Sequence, residues 1–119
     1  MFKTTVVIEN TVAMTLRPEI KRGLLGEHGL SLLIEGCGKR WLFDTGCGNA
    51  LLHNLDILGV RPDSIDALII SHGHHDHGGA IKPLLEKRSK PLPIYAHPGI
   101  FDCHFSKQRG EMIHSGIAW

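Results

Sequence analysis

A chain of 119 residues suits one domain with a modest core, and 42% hydrophobic with 21% charged residues is a globular rather than a disordered composition. A net charge of +1, with no Lys/Arg run longer than two, argues against the basic stripe of a nucleic-acid binder. No apolar run approaches the roughly 20 residues that span a bilayer, and the opening MFKTTVVIENT turns polar too early for a signal peptide, so the expectations are no nucleic acid, no membrane and a cytoplasmic location.

Residues 3–8 read as a short β-branched strand, and residues 9–29, with Pro18, Gly23, Gly26 and Gly29, as mostly loop. Residues 30–35 and 40–44 read as two strands of a hairpin around the turn at Gly36, Cys37, Gly38 and Lys39. Asn49 is the expected N-cap of a helix running to Leu58 and closed by Gly59, with Leu51, Leu52, Leu55 and Leu58 on its buried face. The run ALIIS, residues 67–71, has the length and composition of a strand covered on both faces. Residues 80–87 read as a helix that tolerates Pro83 only near its first turn, and residues 92–96 as a strand ended by Pro98. The remainder is weakly patterned. Alternating strands and helices imply a layered α/β (α+β) architecture in a single domain over residues 1–119.

The three cysteines, Cys37, Cys47 and Cys103, are odd in number and lack C-x-x-C spacing, which predicts reduced thiols. Cys47 reads as a small packed residue. Nine histidines are the compositional oddity, and four of them fall within six consecutive residues.

That stretch is IISHGHHDHGGA, in which His72, His74, Asp76 and His77 form an H-x-H-x-D-H pattern after a buried strand. Imidazole and carboxylate are donors that Zn²⁺, Fe²⁺ or Mn²⁺ accept. Residues two apart on an extended segment face the same way, so His72 and His74 are expected to grip one ion. A turn into helix at Asp76 and His77 would aim those side chains at a second ion nearby. His75 takes the variable position and reads as a non-ligand.

With these residues in view, the chain resembles the metallo-β-lactamase superfamily of metal-dependent hydrolases. The segments IEN with Thr11, GEHGLSLLIE, LFDTG, LLHNLDILGV, IDALIISHGHHDHGGA and IYAHPGIF resemble its dihydropterin–ribofuranosylaminobenzene phosphate synthase-like subgroup. The resemblance implies an αββα sandwich about twice this length, of which this chain is the N-terminal half. It also implies that Asp44, in the triplet Asp44-Thr45-Gly46, supports the ligand loop through hydrogen bonds. A retroviral-type aspartic protease would use the same triplet catalytically, but that reading leaves the histidine cluster unexplained.

In such folds three further ligands, two histidines and a bridging aspartate, come from the second half. His97, His104 and His114 follow the motif too closely to match them. His97 reads as a substrate contact or a strand-end cap, His28 as a residue of the pocket mouth, and Asn10 as a site-edge or turn residue. His104 and His114 read as structural or surface residues. Missing ligands and the apolar ending GIAW lead to the expectation of an incomplete domain, prone to self-association through an exposed sheet edge.

The expected function is hydrolysis by a binuclear site, zinc before iron or manganese, that activates water against a carbonyl or phosphoryl centre. Asp76 doubles as ligand and proton-steering catalytic group. The resemblance suggests a small, phosphate-bearing or pterin-like substrate. The alternative is a metal-binding, catalytically incomplete fragment that acts only with a C-terminal half or a partner chain.

Overall fold

A computed structural model describes residues 1–11 and 23–117. Its main sheet has five strands in the order β1-β2-β3-β4-β5: β1 Lys3–Ile8, β2 Ser31–Gly36, β3 Lys39–Phe43, β4 Ala67–Ile69 and β5 Ile94–Tyr95. β1 with β2 and β2 with β3 pair antiparallel, and β3, β4 and β5 are parallel. Among the described residues three α-helices accompany them: α1 Leu51–Ile57, α2 His75–Gly78 and α3 Ile81–Lys87. A separate hairpin pairs β6 Phe105–Gln108 with β7 Glu111–His114.

The β2–β3 hairpin closes through Cys37 (φ 52°) and Gly38 (φ 70°), two consecutive left-handed residues whose twist matches that of the flanking strands. Its register places Leu33, Leu42, Leu68 and Ile94 side by side on one face. That face forms the core, together with Leu51 and Leu55 of α1 and with Ile81 and Leu84 of α3. Leu52 and Leu58 pack against it half-buried, so the expected helix face is the observed one.

The opposite face of the sheet carries Leu32, Ile34, Trp41, Phe43, Ile69 and Tyr95, none of them buried. Ala67 shares this face and is buried, so among the described residues the strand expected to be covered on both sides is covered fully on one face and in part on the other. The arrangement agrees with one sheet-and-helix half of the expected sandwich.

There are three further differences. Asn49 is exposed and makes no cap; Ala50 occupies the N-cap position without a side-chain hydrogen bond. Instead the Glu27 carboxylate accepts from the backbone amides of Gly48, Asn49 and Ala50 at 2.9, 3.3 and 3.0 Å. A carboxylate from a distant loop thus does the work of a local cap, favoured by the positive end of the helix dipole. The helix C-terminus is as expected: Gly59 has φ 72°, its amide bonds to Asp56 O, and that of Val60 bonds to Leu55 O. Of residues 92–96, only Ile94 and Tyr95 pair in the sheet. The β6–β7 hairpin is the element that sequence patterning missed. Its turn is Arg109-Gly110 (φ 50° and 83°), and FSKQ and EMIH carry no apolar alternation. Of the loop expected over residues 9–29, residues 12–22 lie outside the described residues, and residues 9–11 and 23–29 contain no helix or strand.

Asn54 fastens α1 to what surrounds it. Fully buried, it donates from Nδ2 to Val7 O and Leu25 O, both at 2.8 Å, and accepts from Leu25 N at 2.8 Å. Asn54→Ala leaves the carbonyl of buried Val7 without its partner and frees the amide and carbonyl of Leu25, an exposed residue. It is therefore expected to destabilise the protein by about 1–3 kcal/mol, the cost of one buried unsatisfied group. Urea denaturation measures this, and a loss under about 0.5 kcal/mol would show that the Val7 carbonyl finds another partner.

Candidate metal centre

The histidine cluster sits where β4 ends and the chain turns through α2 into α3. His72 and His74 precede α2, with His74 as its N-cap in extended conformation (ψ 147°); Asp76 and His77 lie within it. The short helix swings the later residues back over the earlier ones. One ligand atom each from His72, Asp76 and His77 lies within 4.8 Å of the others. His74 stands outside that group, its ring 4.8 Å from that of His72, whereas the rings of His72 and His77 are 4.2 Å apart. The gathering within that distance is His72 with Asp76 and His77, and the ring of His74 lies beside it.

Asp44 organises this loop. It is fully buried, in left-handed conformation (φ 58°) directly after β3. Its Oδ1 accepts from Ser71 N at 2.8 Å, and its Oδ2 from Ser71 Oγ at 2.6 Å. The same Oδ2 lies 2.7 Å from His77 Nδ1, which leaves His77 Nε2 turned toward Asp76 Oδ2 at 3.4 Å. Ser71 Oγ also meets His72 Nδ1 at 2.8 Å, so the free nitrogen of His72 is again Nε2. A carboxylate buried this way and committed to three partners braces the loop rather than attacking a peptide, which argues against the protease reading.

Backbone contacts lock the two loops together. Thr45 N donates to His77 O at 2.7 Å, and Ala80 N donates to Thr45 Oγ1 at 3.0 Å. Gly79 N donates to Gly46 O at 3.0 Å. A Cβ on Gly79 would fall on the carbonyl of Cys47, so only glycine permits the two loops to meet there.

Burial, and the positive charge that His77 and His74 carry when protonated, hold His72 below the ordinary histidine range against the pull of Asp44 and Asp76. A neutral imidazole is the form that ligates metal, so the shift favours ligation. The donor set, with its outward nitrogens freed by hydrogen bonds on the inner ones, is one that a divalent transition ion accepts.

Around the cluster, His28 Nε2 lies 3.2 Å from Asp76 Oδ2 on a largely exposed side chain. The backbone beside it is tied down by Leu30 N on Asp76 O (3.4 Å) and by Cys47 Sγ on His28 O (3.0 Å). Burial, then Glu27 and Asp76, push the Cys47 thiol above its ordinary range, as suits a packed residue rather than a nucleophile. Asn10 accepts from Gly29 N at 3.1 Å and so acts on the His28 segment from behind. His97 Nδ1 accepts from Gly99 N at 3.0 Å, capping the start of the 3₁₀ turn Pro98–Phe101. Sequence reasoning missed Glu27 and Ser71, and a Ser directly before the histidine motif is the signal that could have found the latter.

Comparison with known proteins follows the same lines. Residues 25–117 match the model of the metallo-beta-lactamase superfamily. The chain is 42% identical over 92 residues to 7,8-dihydropterin-6-methyl-4-(beta-D-ribofuranosyl)-aminobenzene-5'-phosphate synthase of Methanocaldococcus jannaschii, a match covering 73% of this chain and 31% of that protein. It is 40% identical over 73 residues to ribonuclease Z of Bacillus thuringiensis, covering 57% of this chain and 23% of the other. In fold it is similar to Tm1679, a metal-dependent hydrolase of the beta-lactamase superfamily, with a TM-score of 0.69 and 24% identity over 100% of this chain and 38% of that one. The chain thus spans about a third of the length of the relatives it matches, less than the half implied by the resemblance. With a mixed sheet, one helical layer and this family match across most of its length, the chain belongs to the metallo-beta-lactamase superfamily.

Proposed function

We propose that the chain carries the amino-proximal half of a divalent-metal site for hydrolysis or related cleavage, with His72, His74, Asp76 and His77 as ligands. The observation that carries this is the convergence of His72, Asp76 and His77 within 4.8 Å, with the inner nitrogen of His77 held on Asp44. When bound, the metal supplies acidified water near neutral pH and positive charge for oxygen at a carbonyl or phosphoryl centre. The donors fit zinc first, and iron or manganese as well, and the completed site is read as binuclear.

The chain's own groups have distinct tasks in this reading. His72 and His77 present Nε2 and are kept from rotating by Ser71 and Asp44. Asp76 faces His77 on one side and His28 on the other, so its Oδ2 can pass a proton outward to the exposed imidazole. His28 is the residue best placed to meet substrate at the mouth. A small, phosphate-bearing or pterin-like substrate is supported by the name of the Methanocaldococcus relative, and a net charge of +1 favours it over a polynucleotide. The open apolar face of the sheet supports association with further chain or a second copy. A second reading, a metal-binding chain that needs a partner for turnover, is favoured by its span of about a third of its relatives.

Removing divalent metal from the intact protein with a chelator is expected to abolish hydrolysis of a phosphodiester or lactone probe, and added Zn²⁺, Fe²⁺ or Mn²⁺ to restore it. Turnover that survives chelation would contradict a metal mechanism. His77→Ala is expected to lower both metal content and turnover, whereas an unchanged metal content would remove His77 from the ligand set. Asp44→Asn is expected to weaken metal affinity about 10–100-fold, the usual effect of losing a ligand's hydrogen-bond partner. Competition titration against a chromophoric chelator reads this, and wild-type affinity would show that Asp44 does not orient the site.

A further inference from the structure

Three histidines are proposed as ligands, but only two have a ring nitrogen anchored by a hydrogen bond in the described residues. His77 has Asp44 and His72 has Ser71. Ligating histidines ordinarily need such an outer partner to fix the ring. His74 has ring contacts instead. His72 meets it at 4.8 Å and 78°, and His104 meets it from another direction at 5.8 Å and 89°. Both are edge-to-face geometries in the attractive range for aromatic pairs.

His104 is itself firmly held. Half-buried, it places Nε2 3.2 Å from Gly99 O, and its carbonyl accepts from Ser115 N at 2.7 Å. Ser115 O in turn accepts from His75 N at 2.8 Å, and His74 forms a β-bridge with Gly116. Gly73 is buried beneath, where a Cβ would stand 2.6 Å from His104 Nε2, so the close approach of the ring requires glycine at that position. Loop, turn and tail are thus arranged to bring one imidazole edge against another.

We propose that His104 is a positioning residue that fixes the ring of His74 for metal binding through this edge-to-face contact. The inference rests on the reading of His74 as a ligand. It assigns a task to a histidine that the spacing of the motif leaves out. Ring shape matters in this account, whereas the hydrogen bond to Gly99 serves only to hold His104 in place.

The test compares zinc affinity, by competition titration of the intact metal-free protein, for His74→Ala, His104→Ala, His104→Phe and His104→Gln. The Co²⁺ visible spectrum of each variant is recorded in parallel. Phe keeps an aromatic edge without the donor, and Gln keeps a donor without the ring. His104→Ala and His104→Gln are expected to weaken zinc binding about tenfold with an altered Co²⁺ spectrum, and His104→Phe to stay within about twofold of wild type. Should His104→Ala fail to fold, the contrast between Phe and Gln decides alone. Wild-type binding by His104→Ala, or rescue by Gln and not Phe, would overturn the proposal. His74→Ala separates the two levels: wild-type zinc binding there would remove His74 as a ligand and the proposal with it. Weakened binding there, with His104→Ala unaffected, would overturn the role of His104 alone.

Discussion

Asp44 is a carboxylate shut away from water, and the histidine loop is arranged around satisfying it. A buried polar group in that position is tolerable only when it is hydrogen-bonded, and Ser71 N, Ser71 Oγ and His77 Nδ1 supply its partners. Each of those bonds also fixes something the site needs: the direction in which the chain leaves β4, the hydroxyl that meets His72, and the tautomer and tilt of His77. The same left-handed turn carries Thr45 and Gly46 against His77 and Gly79, so two loops far apart in sequence become one rigid unit.

Much of this was legible in the residues. The span of β1, the β2–β3 hairpin, the buried face of α1, its Gly59 stop and the first-turn position of Pro83 all follow from periodicity and turn chemistry. The H-x-H-x-D-H pattern marked the loop, and a strand-ending Asp-Thr-Gly marked its brace. Long-range partners were what local reasoning could not reach. Glu27 caps the entry to α1 from more than twenty residues away, and nothing around Asn49 announces that a better acceptor exists. The β6–β7 hairpin lacks apolar alternation, so its pairing escaped a search built on that signal, and with it the approach of His104 to His74.

Strand alternation pairs His72 with His74, whose rings lie 4.8 Å apart, and the fold adds Asp76 and His77 to His72. The reason is α2, a single helical turn beginning right after His74. Alternation applies only while the chain stays extended, and from His75 on the helical turn takes over. The sheet shows a related effect: β4 is apolar along its whole length, yet Ile69 and Tyr95 face outward beside Trp41 and Phe43. The sequence of β4 is suited to a second layer, and a chain covering about a third of its relatives' length presents the first.

Anomalous diffraction at the zinc edge from crystals of the intact, zinc-loaded protein is the most direct test of the central claim. A peak about 2.0–2.2 Å from His72 Nε2, an Asp76 oxygen or His77 Nε2, with His77 Nδ1 still on Asp44, is the predicted result. Density for these side chains turned apart toward solvent, with no peak between them, would contradict it.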